Sequence, residues 1–175
     1  MKINKVKHEE KDGVMETFID YELPNKNGDM SNYTLKTTDL PKKSFVAVFR
    51  SLEKSICTIC DFDLADEKYI TVTGVTFTHK KSRVSFVITA EKELDICGDM
   101  LKINTPKLSD AQVDEDTKHS LDLLVDECKE FILGNRMAVQ LNLFGDGSEA
   151  VEVENENFFV HESSDGGEIR MKVEA

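Results

Sequence analysis

Over residues 1–40, apolar and polar positions alternate, and turn residues punctuate the runs. Ile3 and Val6 lie in a short stretch of basic and apolar residues. After a Lys-Asp-Gly turn at 11–13, Thr17, Ile19, Tyr21 and Leu23 alternate with Glu16, Asp20 and Glu22, and Phe18 alone breaks the alternation. Pro24-Asn25-Lys26-Asn27-Gly28-Asp29 is dense in residues that preset or tolerate turn dihedrals. Tyr33, Leu35 and Thr37 form a third alternating run. A period of two puts one side of each run against a core. Strands of this kind joined by turns predict an antiparallel meander.

The period changes after Pro41, a residue suited to the first turn of a helix because its missing N–H costs nothing there. Phe45, Val48, Phe49, Leu52, Ile56, Ile59 and Cys60 recur at three and four, with Lys42, Lys43, Arg50, Glu53 and Lys54 outside the stripe. The helix is expected to end near Asp61, where the period is lost. Strands return at Tyr69. Ile70 and Val72 share a face, but beyond Gly74 the apolar positions are Val75 and Phe77, and this switch at a glycine predicts a bulge. His79 to Arg83 reads as a polar, basic hairpin loop. Val84, Phe86, Ile88 and Ala90 alternate again, and Leu101 and Ile103 make a shorter run stopped by Asn104-Thr105-Pro106. A second helix opens at Asp114 or a neighbouring acid and carries Leu121, Leu124, Val125, Cys128, Phe131 and Ile132 on one stripe. Acids in its first turn suit the positive end of the helix dipole, and Gly134-Asn135 is its stop.

The order is three strands, a helix, three strands and a helix. It predicts an α+β fold: an antiparallel sheet with two amphipathic helices on one face, spanning residues 1–144. Beyond Gly145 the composition turns acidic, with nine acids against two bases over 145–175. That stretch is a separate acidic extension, read either as a hairpin or as a disordered tail.

At 175 residues the chain is one domain with an appendage. Its 22 Lys+Arg against 34 Asp+Glu give a net charge of −12. That argues against direct binding to nucleic acid, whose affinity rests on cationic contacts with phosphates. No apolar run approaches the roughly 18 residues of a membrane span, so no membrane partner is expected. Met1-Lys2-Ile3-Asn4-Lys5 leads into no apolar signal region. The expected location is therefore the cytoplasm, with Cys57, Cys60, Cys97 and Cys128 as reduced thiols. Cys57-Thr58-Ile59-Cys60 has the spacing of a metal or redox pair, but no second close pair completes a zinc site. Inside a helical stripe both cysteines serve as small hydrophobes.

Nucleotide-binding glycine loops and a nucleophile-elbow sequence are absent. His8, His79, His119 and His161 are scattered, with no metal-ligand spacing. Asp61, Asp63, Asp66 and Glu67 resemble a loose cation loop, but lack glycine at the turn position and read better as a solvated helix end. Lys80, Lys81 and Arg83 read as a loop that blunts a sheet edge. No catalytic residue, metal or cofactor is assigned, and a non-enzymatic protein is expected.

One short motif points to a partner. Gln140-Leu141-Asn142-Leu143-Phe144 precedes Gly145-Asp146-Gly147. A Leu-Phe pair can anchor in an apolar cleft while a glutamine amide bonds at its rim, and an extended segment next to glycine can leave its own domain to do so. This segment resembles the linear motif by which bacterial replication and repair proteins dock on the DNA polymerase sliding clamp, with Asn142 where that motif usually has Ser or Asp. The partner-binding residues it implies are Gln140, Leu141, Leu143 and Phe144. The same apolar residues also suit a last strand or lid on the domain's own core. Residues 1–144 more broadly resemble small proteins of bacterial phages and prophages, through Thr71 to Phe77, Ile103 to Pro106 and Gln140 to Phe144. That resemblance implies a host bacterial cell and carries no catalytic motif.

Two functions follow as expectations. The first is a phage or mobile-element adaptor that binds a host replication or DNA-processing protein, with the sliding clamp as candidate. The second is an acidic DNA mimic that inhibits a host restriction or CRISPR nuclease, its acids at 110–130 and 145–175 imitating phosphate rows.

Overall fold

The computed structural model describes residues 1–80, 83–94 and 98–136. Seven strands and two long helices follow one another as β1 (Lys2–Lys11), β2 (Val14–Pro24), β3 (Met30–Thr37), α1 (Lys43–Cys60), β4 (Ile70–Lys80), β5 (Arg83–Glu93), β6 (Met100–Asn104), β7 (Leu108–Ser109) and α2 (Glu115–Ile132). Every pairing is antiparallel. The strand order is β3-β2-β1-β4-β5-β6, with β7 also on β5. The fold is the expected α+β arrangement, with one more strand than the pattern predicts.

That extra strand is short because proline interrupts it. The run Leu101–Ile103 ends as expected, but the chain then continues along the same side of β5. Buried Thr105 accepts the Ile88 N–H on its Oγ1 at 2.9 Å and donates its own N–H to the Ile88 carbonyl at 3.0 Å. Pro106 has no N–H to offer, and pairing resumes only at Leu108.

The alternation sorts the sheet into two faces. Val6, Ile19, Val75, Phe86, Ile88 and Ala90 are buried on one. Lys5, Asp20, Thr76 and Ser85 occupy positions of opposite parity on the other, where Phe18 sits under the Lys5 ammonium at 6.0 Å. Both helices contribute to the single core cluster on the apolar face: Phe45, Phe49, Leu52 and Ile56 from α1, and Leu121, Leu124, Cys128 and Phe131 from α2. The register shift between Val72 and Gly74 is the bulge expected at the glycine. Gly74 also lies where β4 crosses β1, and a Cβ there would stand 2.8 Å from the Val6 carbonyl oxygen.

Pro41 does not enter α1. It stands in an isolated antiparallel bridge with Arg136, and the helix begins two residues later with Lys42 as its N-cap. The other end falls as expected: Asp61 takes the left-handed conformation (φ 57°), its N–H bonding the Cys57 carbonyl. Asp114 caps α2, accepting the Thr117 N–H at 2.7 Å. The loop expected over His79–Arg83 is tighter than the composition implies, because Lys80 and Arg83 are themselves paired across β4 and β5.

The seam between the helices is polar. Ser55 and Thr117 are buried there and hydrogen-bonded at 2.7 Å, and the Ser51 and Ser120 hydroxyls meet at 2.9 Å. Small side chains let the backbones approach, and each hydroxyl supplies the partner that burial demands.

Candidate functional site

The motif residues Gln140, Leu141, Leu143 and Phe144, and the acidic extension over 145–175, lie outside the described residues. What is described is the exit of α2 that precedes them in the chain. Past α2, Gly134 takes a positive φ of 96° and turns the chain back. Arg136 then fixes its direction. Its guanidinium lies over the Phe131 ring at 4.9 Å, its Nε donates to the Phe131 carbonyl at 3.4 Å, and it forms an ion pair with Asp39. Together with the bridge to Pro41, these contacts hold the exit of α2 against the segment between β3 and α1. The sequence pattern offers no signal for Arg136 beyond a basic residue after a helix stop.

The acids of α2 are segregated. Glu115, Asp116, Asp122, Asp126 and Glu130 are all exposed on the side away from Leu121, Leu124 and Cys128. Two lysines answer them along the helix. Lys129 pairs with Asp126 at 2.7 Å, and Lys118 reaches Glu115 at 4.0 Å. The Asp114 carboxyl is held below the usual range by the hydrogen bonds from Thr117, so it stays ionised as the cap.

The three described cysteines are packed in or against the core. Cys57 and Cys128 are buried within the core, Cys60 is half-buried, and all three are free thiols. Burial raises each of them, which withholds the thiolate that metal binding and redox exchange require. Cys97 lies outside the described residues. Of the histidines, His8 is half-buried against Phe45 and Phe49, 3.0 Å from the Thr17 hydroxyl, and burial lowers its pKa. His79 meets the Ile3 carbonyl at 2.8 Å. His161 lies outside the described residues.

The cation-loop resemblance dissolves in three dimensions. Asp61 is the helix C-cap, Asp63 caps the 3-10 turn over Leu64–Tyr69, and Asp66 pairs with Lys92 at 2.6 Å. Among the described residues no group of three or more His, Cys, Asp or Glu side chains converges on a metal position. The neighbouring Glu53 carboxyl is pushed up to about 7 by burial, with Arg50 opposing the shift and Glu67 adding to it. Sequence alone places Glu53 on the solvent side of α1 and gives no sign of this. A shallow cleft of about 280 Å³ beside the start of α2 is lined by Thr58, Ile59, Leu108, Val113 and Thr117; Asp114, the one charged side chain lining it, is engaged as the cap. None of the helices described is long and apolar enough to cross a membrane.

No protein family model, no curated protein and no solved structure matches the chain.

Proposed function

We propose that this is a non-enzymatic phage or mobile-element protein that binds a host replication or DNA-processing protein, the DNA polymerase sliding clamp being the partner its sequence fits best. The observation that carries the reading is the segment Gln140-Leu141-Asn142-Leu143-Phe144, placed just beyond a helix exit that Arg136 anchors. An anchored exit supports a linear motif because it limits how far the segment can wander before capture, which reduces the ordering cost of binding. Leu143 and Phe144 are the anchors and Gln140 the rim contact. The test is binding of the full-length protein to a purified bacterial clamp, with Leu143→Ala/Phe144→Ala beside it. The double variant should lose binding, while its melting temperature stays within a few degrees of the wild type. Two core truncations would instead cost several kcal/mol, about 2–5 each.

A second reading has its own observation, the exposed acidic row on α2. With the net charge of −12, that row suits a protein that occupies a basic nucleic-acid channel of a restriction or CRISPR nuclease. Charge reversal at Asp122 and Asp126 should then abolish inhibition of such a nuclease and leave clamp binding intact.

A further inference from the structure

The sheet has two edges, and they are finished differently. On the β5 side the edge is broken into the short strands β6 and β7 with Pro106 between them, which gives another strand little to grip. On the other side β3 pairs over all eight of its residues with β2, and among the described residues nothing pairs with its outer edge. No proline or register shift interrupts β3, and its one charged side chain is Lys36, an edge without acid in a chain of net charge −12. Thr37, Leu35 and Tyr33 lie opposite Thr17, Ile19 and Tyr21, so the odd positions of β3 share the side of the sheet that the helices cover. Tyr33 nevertheless remains 44% exposed, its ring stacked on Tyr21 at 5.6 Å. Asn32, Thr34 and Lys36 face the open side. Behind them β2 carries acids, Asp20 opposite Thr34, whose hydroxyl it accepts at 2.7 Å, and Glu22 opposite Asn32.

A long, regular edge carrying an exposed aromatic is a template for one more strand. We propose that the strand it takes is β3 of a second copy, paired antiparallel about a two-fold axis through Thr34. A two-fold interface presents the same strand twice, so it forms only where the strand complements itself. In this register Lys36 comes opposite the partner's Asn32, with the partner's Glu22 behind it, and the approach of cation to acid is made twice. Tyr33 comes opposite the partner's Leu35, so each exposed ring gains an apolar cover, and Thr34 meets its own mate. Charge selects this register over the neighbouring one centred on Tyr33, which would set Lys36 against Met30 with Pro24 behind it. Registers that turn one copy over would bring Tyr33 and Leu35 to the partner's open, polar side. The nearest like charges, Asp29 and Asp39, fall beyond the strand ends, and Asp39 is already paired with Arg136. The result is one continuous sheet across the axis, with the helices of both copies on the same side.

The test uses the full-length protein alone, so it is independent of clamp binding. Light scattering behind a sizing column should give the mass of two chains at about 100 μM and of one chain on dilution, as a small edge-to-edge interface requires. Tyr33→Lys, which puts a charge on the edge, should hold the protein monomeric at every concentration while the melting temperature of the monomer stays within a few degrees. Single cysteines then read the register. In the dimer two copies of Thr34→Cys stand about 5 Å apart, within reach of a disulfide. Copies of Asn32→Cys or of Lys36→Cys stand about 14 Å apart and are out of reach. Under mild oxidation Thr34→Cys should therefore form a covalent dimer at least about tenfold faster than either, with wild type as the blank for the native thiols. A single-chain mass at all concentrations up to about 100 μM would overturn the proposal, including the case in which the β3 amides are protected by another part of the same chain. So would a dimer that survives Tyr33→Lys, or one in which cysteines at 32, 34 and 36 cross-link alike.

Discussion

At the residue scale, what decides each position is whether a neighbour supplies what burial takes away. Gly74 is glycine because β1 passes too close for anything else. Gly74→Ala would drive a Cβ to 2.8 Å from the Val6 carbonyl oxygen and 3.1 Å from Lys7 Cγ, and backbone on a central strand cannot step aside. The expected loss is about 1–3 kcal/mol, read by denaturant unfolding, with the β1–β4 pairing the part that loosens. Glu53 is the opposite case, a carboxylate taken partly out of water without a full counter-charge. Its folded pKa of about 7 lies above the reference 4.5. The folded state therefore holds this proton more tightly than the unfolded chain, and stability declines as pH rises from about 4.5 to about 7. Glu53→Gln should raise the melting temperature at about pH 8 and change it little at about pH 4. Because Glu53 is substantially exposed, the gain should not exceed about 1 kcal/mol after solvent screening. An unchanged difference across that pH range would remove the burial argument.

At the element scale, periodicity made much of the fold legible before any coordinates. The switch from Ile70 and Val72 to Val75 and Phe77 located the bulge, and Asp114 and Gly134 located the ends of α2, because each signal is local: a face, a cap, a turn. Three features were not legible. β7 is held by a buried Thr105 that stands in for ladder partners, and its neighbouring proline reads as a stop. Pro41 reads as a helix start, but its place is set by Arg136, far along the chain. Ser55 and Thr117 belong to neither apolar stripe, and they are buried with their hydroxyls hydrogen-bonded to each other across the helix seam. That pair makes a test. Thr117→Val keeps the volume and strands the Ser55 hydroxyl, so it should cost about 1–3 kcal/mol. Adding Ser55→Ala should recover part of the loss, and a strictly additive double variant would show that the two do not communicate.

At the scale of the whole molecule, the sheet and helices form a closed core from Ile3 to Phe131, and the chemistry that suggests a function lies at its margin. Among the described residues no group of three or more His, Cys, Asp or Glu side chains is placed to hold a metal ion. The distinctive features are an acidic helix face and a helix exit locked by Arg136. Of the candidate site, the sequence offers only the proposed motif at 140–144, which lies outside the described residues. The contacts at the exit of α2 were not legible, since they depend on Asp39, Pro41, Phe131 and Arg136 meeting in space. The two functional readings separate most sharply in how they respond to salt. An apolar Leu-Phe anchor in a cleft owes little to charge, whereas an acidic face in a basic channel owes most of its affinity to it. The measurement that tests the central claim most directly is titration of full-length wild type and Leu143→Ala/Phe144→Ala against a purified sliding clamp at low and high salt. Wild type should bind at micromolar concentration or tighter, weaken by less than about tenfold between ~0.05 and ~0.5 M salt, and lose binding in the double variant. No binding by wild type at micromolar concentration, or binding that survives the double substitution and collapses with salt, would contradict it.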